Sequence, residues 1–353
     1  MKVGVVVPSN RPERRDDWMA AWKSALWEDP SYRTTLYWID DEKENWDRIT
    51  DDLKKDAWII PVKTDCIRSY GFLQAFRDGC DVTVTLDDDV SPMGNNPIKE
   101  HLDWLNTSVE PDRWVRTLRG ENSPPTRGLP LSRHIVINHG LWTGVPDVSA
   151  RTQLAGYRDD YQECDPINDQ IIPTHRYYPM SGMNLAFDTR LTRFMYFTLQ
   201  GWDIRNPLET TWGLNRCGDI LAGVLSKTVI DNFDFAGVHS GRPYVHHERA
   251  SDPQVNLGLE GNSYDVPQIV AQRLKGVTSY LGCAERLFGL HIEGVRKDYF
   301  RNLAQAMRVW YELCKGAPGE YTRPSRPPSS GPIQEPQDAI ASREGLAESE
   351  VVP

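Results

Sequence analysis

Apolar β-branched runs alternate with amphipathic stretches over the first third of the chain. Residues 3–7 (Val-Gly-Val-Val-Val) predict a buried strand, and residues 16–27 place Trp18, Ala21, Trp22 and Leu26 at helical spacing. Residues 35–39 predict a second strand that closes on Asp40 and Asp41, and residues 58–62 (Trp-Ile-Ile-Pro-Val) a third. A helix follows over 70–77, then a fourth strand over 82–86 (Val-Thr-Val-Thr-Leu). Such alternation predicts an α/β fold around a parallel, doubly wound sheet, with its ligand crevice at the carboxyl ends of the strands.

Residues 90–180 carry more Pro, Gly and polar positions and fewer periodic runs. The pattern tightens again at 183–187, which is strand-like, and at 219–229, which is helical. Over 266–315, Ile269, Val270, Leu274, Val277 and Leu281, then Phe300, Leu303, Met307, Trp310 and Leu313, predict helices that serve as a cap or an oligomer contact. From 318 onward a Pro- and Ser-rich stretch and an acidic end offer too little apolar surface to bury, so a disordered tail is expected. The expected division is a nucleotide-sugar domain over 1–260, a helical extension over 261–317 and a tail over 318–353.

The end of the fourth strand changes the picture, because Asp87, Asp88 and Asp89 follow it directly. Three carboxylates cannot stay inside a core, since an unpaired buried charge is costly. They belong where the strand emerges into a crevice, facing water, a metal or a cation. Hard oxygen donors grouped this way suit Mg²⁺ or Mn²⁺, which clamps phosphate oxygens. One reading is therefore a metal–nucleotide diphosphate site of the D-x-D kind found in GT-A glycosyltransferases; the other is a solvated acidic turn.

Further candidates lie at other strand ends. Pro8, Ser9, Asn10 and Arg11 follow the first strand, where Ser9 and Asn10 either read a base or ribose or cap the next helix, and Arg11 suits a phosphate. Asp40 or Asp41 is placed to accept from uracil or ribose. Arg68 opposes the dipole of the helix it would open, which makes sense if it pairs with Asp65, the triplet or a diphosphate. His246 or His247 would complete a metal site if brought to the triplet.

Composition narrows the classes. A formal charge of −10 over 353 residues argues against binding nucleic acid through phosphate neutralisation. Six scattered cysteines without a C-x-x-C pair indicate neither a zinc site nor a disulfide framework and fit a reducing compartment. The amino-terminal apolar run is too short for a signal peptide, and no stretch approaches a bilayer span, so a cytoplasmic protein is expected. No dinucleotide, P-loop or esterase signature is present.

Taken in order, Arg68-x-x-Gly71-Phe72, Leu86-Asp87-Asp88-Asp89, His139-Gly140-Leu141-Trp142, Pro146-Asp147, Thr152-Gln153-Leu154, the run Gly182 to Asp188 (G-M-N-L-A-F-D) and Ala250-Ser251-Asp252-Pro253 resemble the reversibly glycosylated polypeptides, the UDP-arabinopyranose mutase family. The resemblance covers residues 1–260. It implies a GT-A-like mixed sheet, a divalent ion (Mn²⁺ or Mg²⁺) on Asp87, Asp88, Asp89 and His247, and a UDP-sugar substrate in contact with Pro8, Ser9, Arg11, Asp40, Arg68, Asp87, Asn184 and His246. It also implies that Asp219 works over the sugar and that an Arg becomes reversibly glycosylated; Arg158 is the nearest candidate and Arg176 a weaker one.

The activity so implied is a flavin-independent interconversion of the pyranose and furanose forms of a UDP-sugar. Its rivals are a glycosyltransferase using the same donor site and a non-catalytic partner of an active paralogue; a homo- or hetero-oligomer fits any of them. Trp142 and Trp212 are either stacking platforms or core residues.

Overall fold

The computed structural model describes residues 1–41, 43–110, 117–118, 127–128, 132–157, 167–201, 211–233, 235–248, 251–261 and 263–315. Strands β1 (Lys2–Ser9), β2 (Arg33–Asp40), β3 (Val82–Leu86), β4 (Val90–Pro92), β5 (Ser108–Val109), β6 (Arg133–Gly144), β7 (Gln170–Ile171), β8 (Asn184–Asp188) and β9 (Ala236–His247) build one mixed sheet in the order β2-β1-β3-β8-β6-β9-β4, with β5 pairing on β6 and β7 on β9. The pairs β2/β1, β1/β3 and β6/β9 are parallel, whereas β8 runs antiparallel to both β3 and β6. The carboxyl ends of β1, β2, β3, β6 and β9 therefore share one edge of the sheet, where β8 begins.

Two cores cover its faces. Val3, Val5 and Val7 point to one with Trp18, Trp22, Val84 and Leu86, while Val6 points to the other with Phe72, Phe187 and Trp212. This is the two-residue period of a strand buried on both sides. Helix α1 (Arg15–Trp27) lies on the first face, and its stacked Trp18 and Trp22 donate indole N–H groups to the carbonyls of Asp87 and Val90. Helix α3 (Arg68–Arg77) packs on the second, so closely that a Cβ at Gly71 would sit 2.4 Å from the Val6 side chain. Helix α2 (Lys43–Leu53) precedes it, and α4 (Pro97–Leu105) packs by β6 and β9.

The expected strand over 58–62 is instead part of a 3-10 turn, Lys54–Ile59, followed by irregular chain. Ile59 and Ile60 are buried in the core without joining the sheet, and Pro61 removes a donor that a strand would need. Helix α5 (Gly218–Ile230) fills the predicted place. After it come α6 (Pro253–Glu260), α7 (Val266–Arg273), α8 (Tyr280–Leu287) and α9 (Tyr299–Leu313). The last three share the second core: Trp310 donates to the carbonyl of Thr192 at 2.8 Å and Tyr299 to that of Leu199 at 2.7 Å. No described helix is long and apolar enough to cross a membrane.

Candidate functional site

Along the shared sheet edge runs a cleft of about 840 Å³, within the range that holds small-molecule ligands. The topology explains its position, because the turns after β1, β3, β6 and β9 all open there with the amino ends of α3 and α5.

The triplet after β3 divides its labour. Arg68, buried at the start of α3, donates to Asp87 at 2.6 Å and is fixed by Thr85 at 2.8 Å and the Gly182 carbonyl at 2.7 Å. Asp88 is buried and engaged through both oxygens by Arg11, and it accepts from Ser9 as well. Asp89 accepts from Arg11 at 2.9 Å, and its other oxygen lies 4.0 Å from His247 Nε2. Burial and the charge of Asp87 raise the Asp89 carboxyl above its ordinary range, with Arg11 and His247 opposing.

His247 ends β9. Its Nδ1 lies 2.8 Å from the carbonyl oxygen of Val145, which can only accept, so Nδ1 carries a proton and Nε2 is the ring nitrogen that faces Asp89. A carboxylate oxygen opposite an imidazole nitrogen is a donor pair that suits Mn²⁺, and ions of this kind take one or two protein carboxylates and complete their shell with phosphates and water. Among the described residues, no three His, Cys, Asp or Glu side chains stand grouped to hold an ion unaided. His246, its neighbour on the strand, faces the opposite side, where Nδ1 meets Thr143 at 3.2 Å; it does not line the cleft.

A second set of acids faces the triplet. Asp219, in the first turn of α5, accepts from the backbone N–H of Gly182 and Ile220. Burial, then Asp65 and Asp147, push its carboxyl up to about 8. Asp65 accepts from the backbone of Asp219 and is raised chiefly by burial. Asp147, on the turn after β6, is exposed at the cleft, where desolvation raises its carboxyl against the pull of Arg216 and His247.

Other expected residues are placed as follows. Pro8, Ser9, Arg11, Arg68 and Asp87 line the cleft, together with Asn10. Asp40 turns back to the indole of Trp38 at 2.5 Å, and Asp41 lines the cleft in its stead, accepting from Trp46. Strand alternation separates the two. Asn184 is buried behind the wall, donating to the carbonyls of Leu141 and Pro243. Trp142 lines the cleft; Trp212 is buried in the core against Arg296. Arg158 lies outside the described residues, and Arg176 is exposed away from the cleft. Asp147 entered the sequence reading only through Pro146-Asp147 and without a site role, and Arg216 and Glu260, in the chain before α5 and at the end of α6, were not singled out.

Residues 39–317 match the family model described as reversibly glycosylated polypeptide. The chain belongs to that family. It is 34% identical over 276 residues to a probable UDP-arabinopyranose mutase 4 of Arabidopsis thaliana, covering 72% of each chain. It is 30% identical over 303 residues to UDP-arabinopyranose mutase 1 of the same plant, covering 78% of this chain and 79% of the relative. To UDP-arabinopyranose mutase 1 of Oryza sativa subsp. japonica it is 28% identical, with 78% of each covered. The matched span takes in the triplet, Asp147, Asp219 and His247, and so most of the cleft wall.

Proposed function

We propose that the protein is a UDP-sugar mutase that interconverts pyranose and furanose forms, on a GT-A-like scaffold and with a bound Mn²⁺ or Mg²⁺. The observation that carries this reading is the approach of Asp89 to Nε2 of His247, between Arg11 and Arg68, at the carboxyl edge of the sheet. The names borne by the relatives supply the substrate class.

Asp89 and His247 would hold the ion, with diphosphate oxygens and water completing its shell, and when bound it would neutralise charge on the departing diphosphate. Asp88 acts instead through Arg11, whose guanidinium it holds against the triplet. Arg11 and Arg68 receive the diphosphate oxygens, and Pro8, Asn10 and Asp41 are placed for the nucleoside. Changing ring size requires the bond between the anomeric carbon and the phosphate oxygen to break, its electron pair leaving with UDP. Another hydroxyl then bonds to the anomeric carbon and gives up its proton, the bond from that carbon to the former ring oxygen breaks as that oxygen takes a proton, and UDP is recaptured. One hydroxyl gains a proton and another loses one, so bonds and protons are exchanged and no electrons are transferred. Asp219, whose carboxyl is pushed up to about 8, would give that proton and retrieve it.

The test is to mix the protein with UDP-arabinopyranose and Mn²⁺, with no acceptor, and to follow the nucleotide sugars by NMR. Accumulation of the furanose form, stopped by a chelator, is the expected result. Slow hydrolysis alone would replace this reading with that of a transferase.

A further inference from the structure

The sheet order divides the cleft. Pro8 and Asp41 stand at its β2/β1 end, and Arg11, Arg68, the triplet and His247 in the middle. What remains is the far wall, made of the turn after β6 and the segments flanking α5 and α6. Among the charged groups there, Arg216 and Glu260 face each other across 3.4 Å.

Both are held by the chain around them. Arg216 has φ +53°, a left-handed conformation that a residue with a side chain adopts at a cost. Its N–H donates to Asn215 Oδ1 at 2.9 Å, and Ser263 ties down Asn215 by donating to its carbonyl at 2.8 Å. Glu260 accepts from the backbone N–H of Ala150 at 2.8 Å and from the Tyr264 hydroxyl at 3.0 Å, so its position is fixed from two elements. Strained backbone that its surroundings hold in place is a feature of ligand clamps. Arg11 and Arg68 stand at the triplet in the middle of the cleft, whereas Arg216, paired with Glu260, is 38% exposed on the far wall.

We infer that Arg216 and Glu260 are specificity-determining residues that read the hydroxyls of the sugar, the guanidinium donating and the carboxylate accepting. The inference rests on the donor-site reading above. A donor–acceptor pair of fixed separation distinguishes an axial from an equatorial hydroxyl, because only one orientation satisfies both partners. It makes no contact with the nucleoside end, so it contributes to binding of a UDP-sugar and not of UDP.

Three variants test this in the full chain: Arg216→Gly, Arg216→Lys and Glu260→Gln. Glycine suits the left-handed backbone, so Arg216→Gly removes the side chain without straining the fold. Calorimetry with Mn²⁺ would compare UDP, UDP-arabinopyranose and its C4 epimer UDP-xylose. Affinity for UDP should be retained, affinity for UDP-arabinopyranose should fall by about tenfold or more, and the preference between the epimers should shrink. Equal loss for UDP and the UDP-sugars, or no change in any of them, would overturn the inference alone. Wild-type protein that ignores UDP with Mn²⁺ would remove the donor-site reading and this inference with it.

Discussion

The guanidinium of Arg68 reaches from the first turn of α3 to Asp87 at the end of β3, 2.6 Å away, and donates on the way to Thr85 and to the carbonyl of Gly182. One buried side chain thus ties the helix to the triplet and to the approach to β8. A cation at a helix amino end is unfavourable to the dipole. It persists here because its partners outweigh that cost.

Arg68→Ala should accordingly destabilise the protein by about 3 kcal/mol, since removal of one partner leaves Asp87 uncompensated. Urea denaturation would show a lower midpoint with unchanged slope. A variant as stable as the wild type would mean that the pair contributes nothing net.

Gly182→Ala should disturb the same contact from the other side. Its Cβ would fall 2.9 Å from the Arg68 guanidinium carbon and 2.8 Å from the Phe197 ring. Overpacking of this kind costs about 1–3 kcal/mol, and the displaced Arg68 should weaken Mn²⁺-dependent UDP binding in parallel. Stability lost with UDP binding intact would show that Arg68 is not part of the diphosphate site.

Much of this was legible in the sequence. The strand at 82–86, the carboxylates after it, Arg68 and the helices over 219–229 and 266–315 are all where periodicity and charge placed them. The long strands β6 and β9 were not. Their centres carry Asn138, His139 and His239, polar residues that interrupt an apolar run yet are buried. They pair with polar groups of other elements: His239 bonds Asn138 at 2.7 Å, Asn138 bonds His101 of α4 at 2.9 Å, and His139 Nε2 accepts from the backbone N–H of Ser181 at 3.2 Å. Such pairings across elements leave no trace in local patterning. The run at 58–62 misled for the opposite reason, since it is apolar for the core but has no strand to pair with. Asp40 and Asp41 could not be ranked from sequence, because strand register decides which one faces the cleft.

The neighbouring histidines provide a contrast on a single strand. His247→Ala should reduce Mn²⁺-dependent UDP affinity at least about tenfold, and Asp89→Asn should do the same. His246→Ala should leave it little changed, since that ring faces Thr143 on the other side. If the His246 variant lost the metal response and the His247 variant kept it, the proposed donor set would be wrong.

Asp219 makes the pH dependence a test of both stability and turnover. Its carboxyl is raised to about 8 in the folded protein, against 3.8 for an unperturbed one. Between those values the folded state binds the extra proton, so the contribution of this group to stability is complete below the unfolded value and lost as pH rises toward 8. Asp219→Asn removes that loss. The difference in unfolding free energy between variant and wild type should therefore move in favour of the variant from pH 4 to 8, by on the order of a few kcal/mol, and level off above. On the proposed mechanism turnover uses this proton, so wild-type activity should fall as pH passes about 8, and the asparagine variant should be inactive throughout. A stability difference that stays flat across this range would show that Asp219 is ionised at neutral pH and cannot supply the proton.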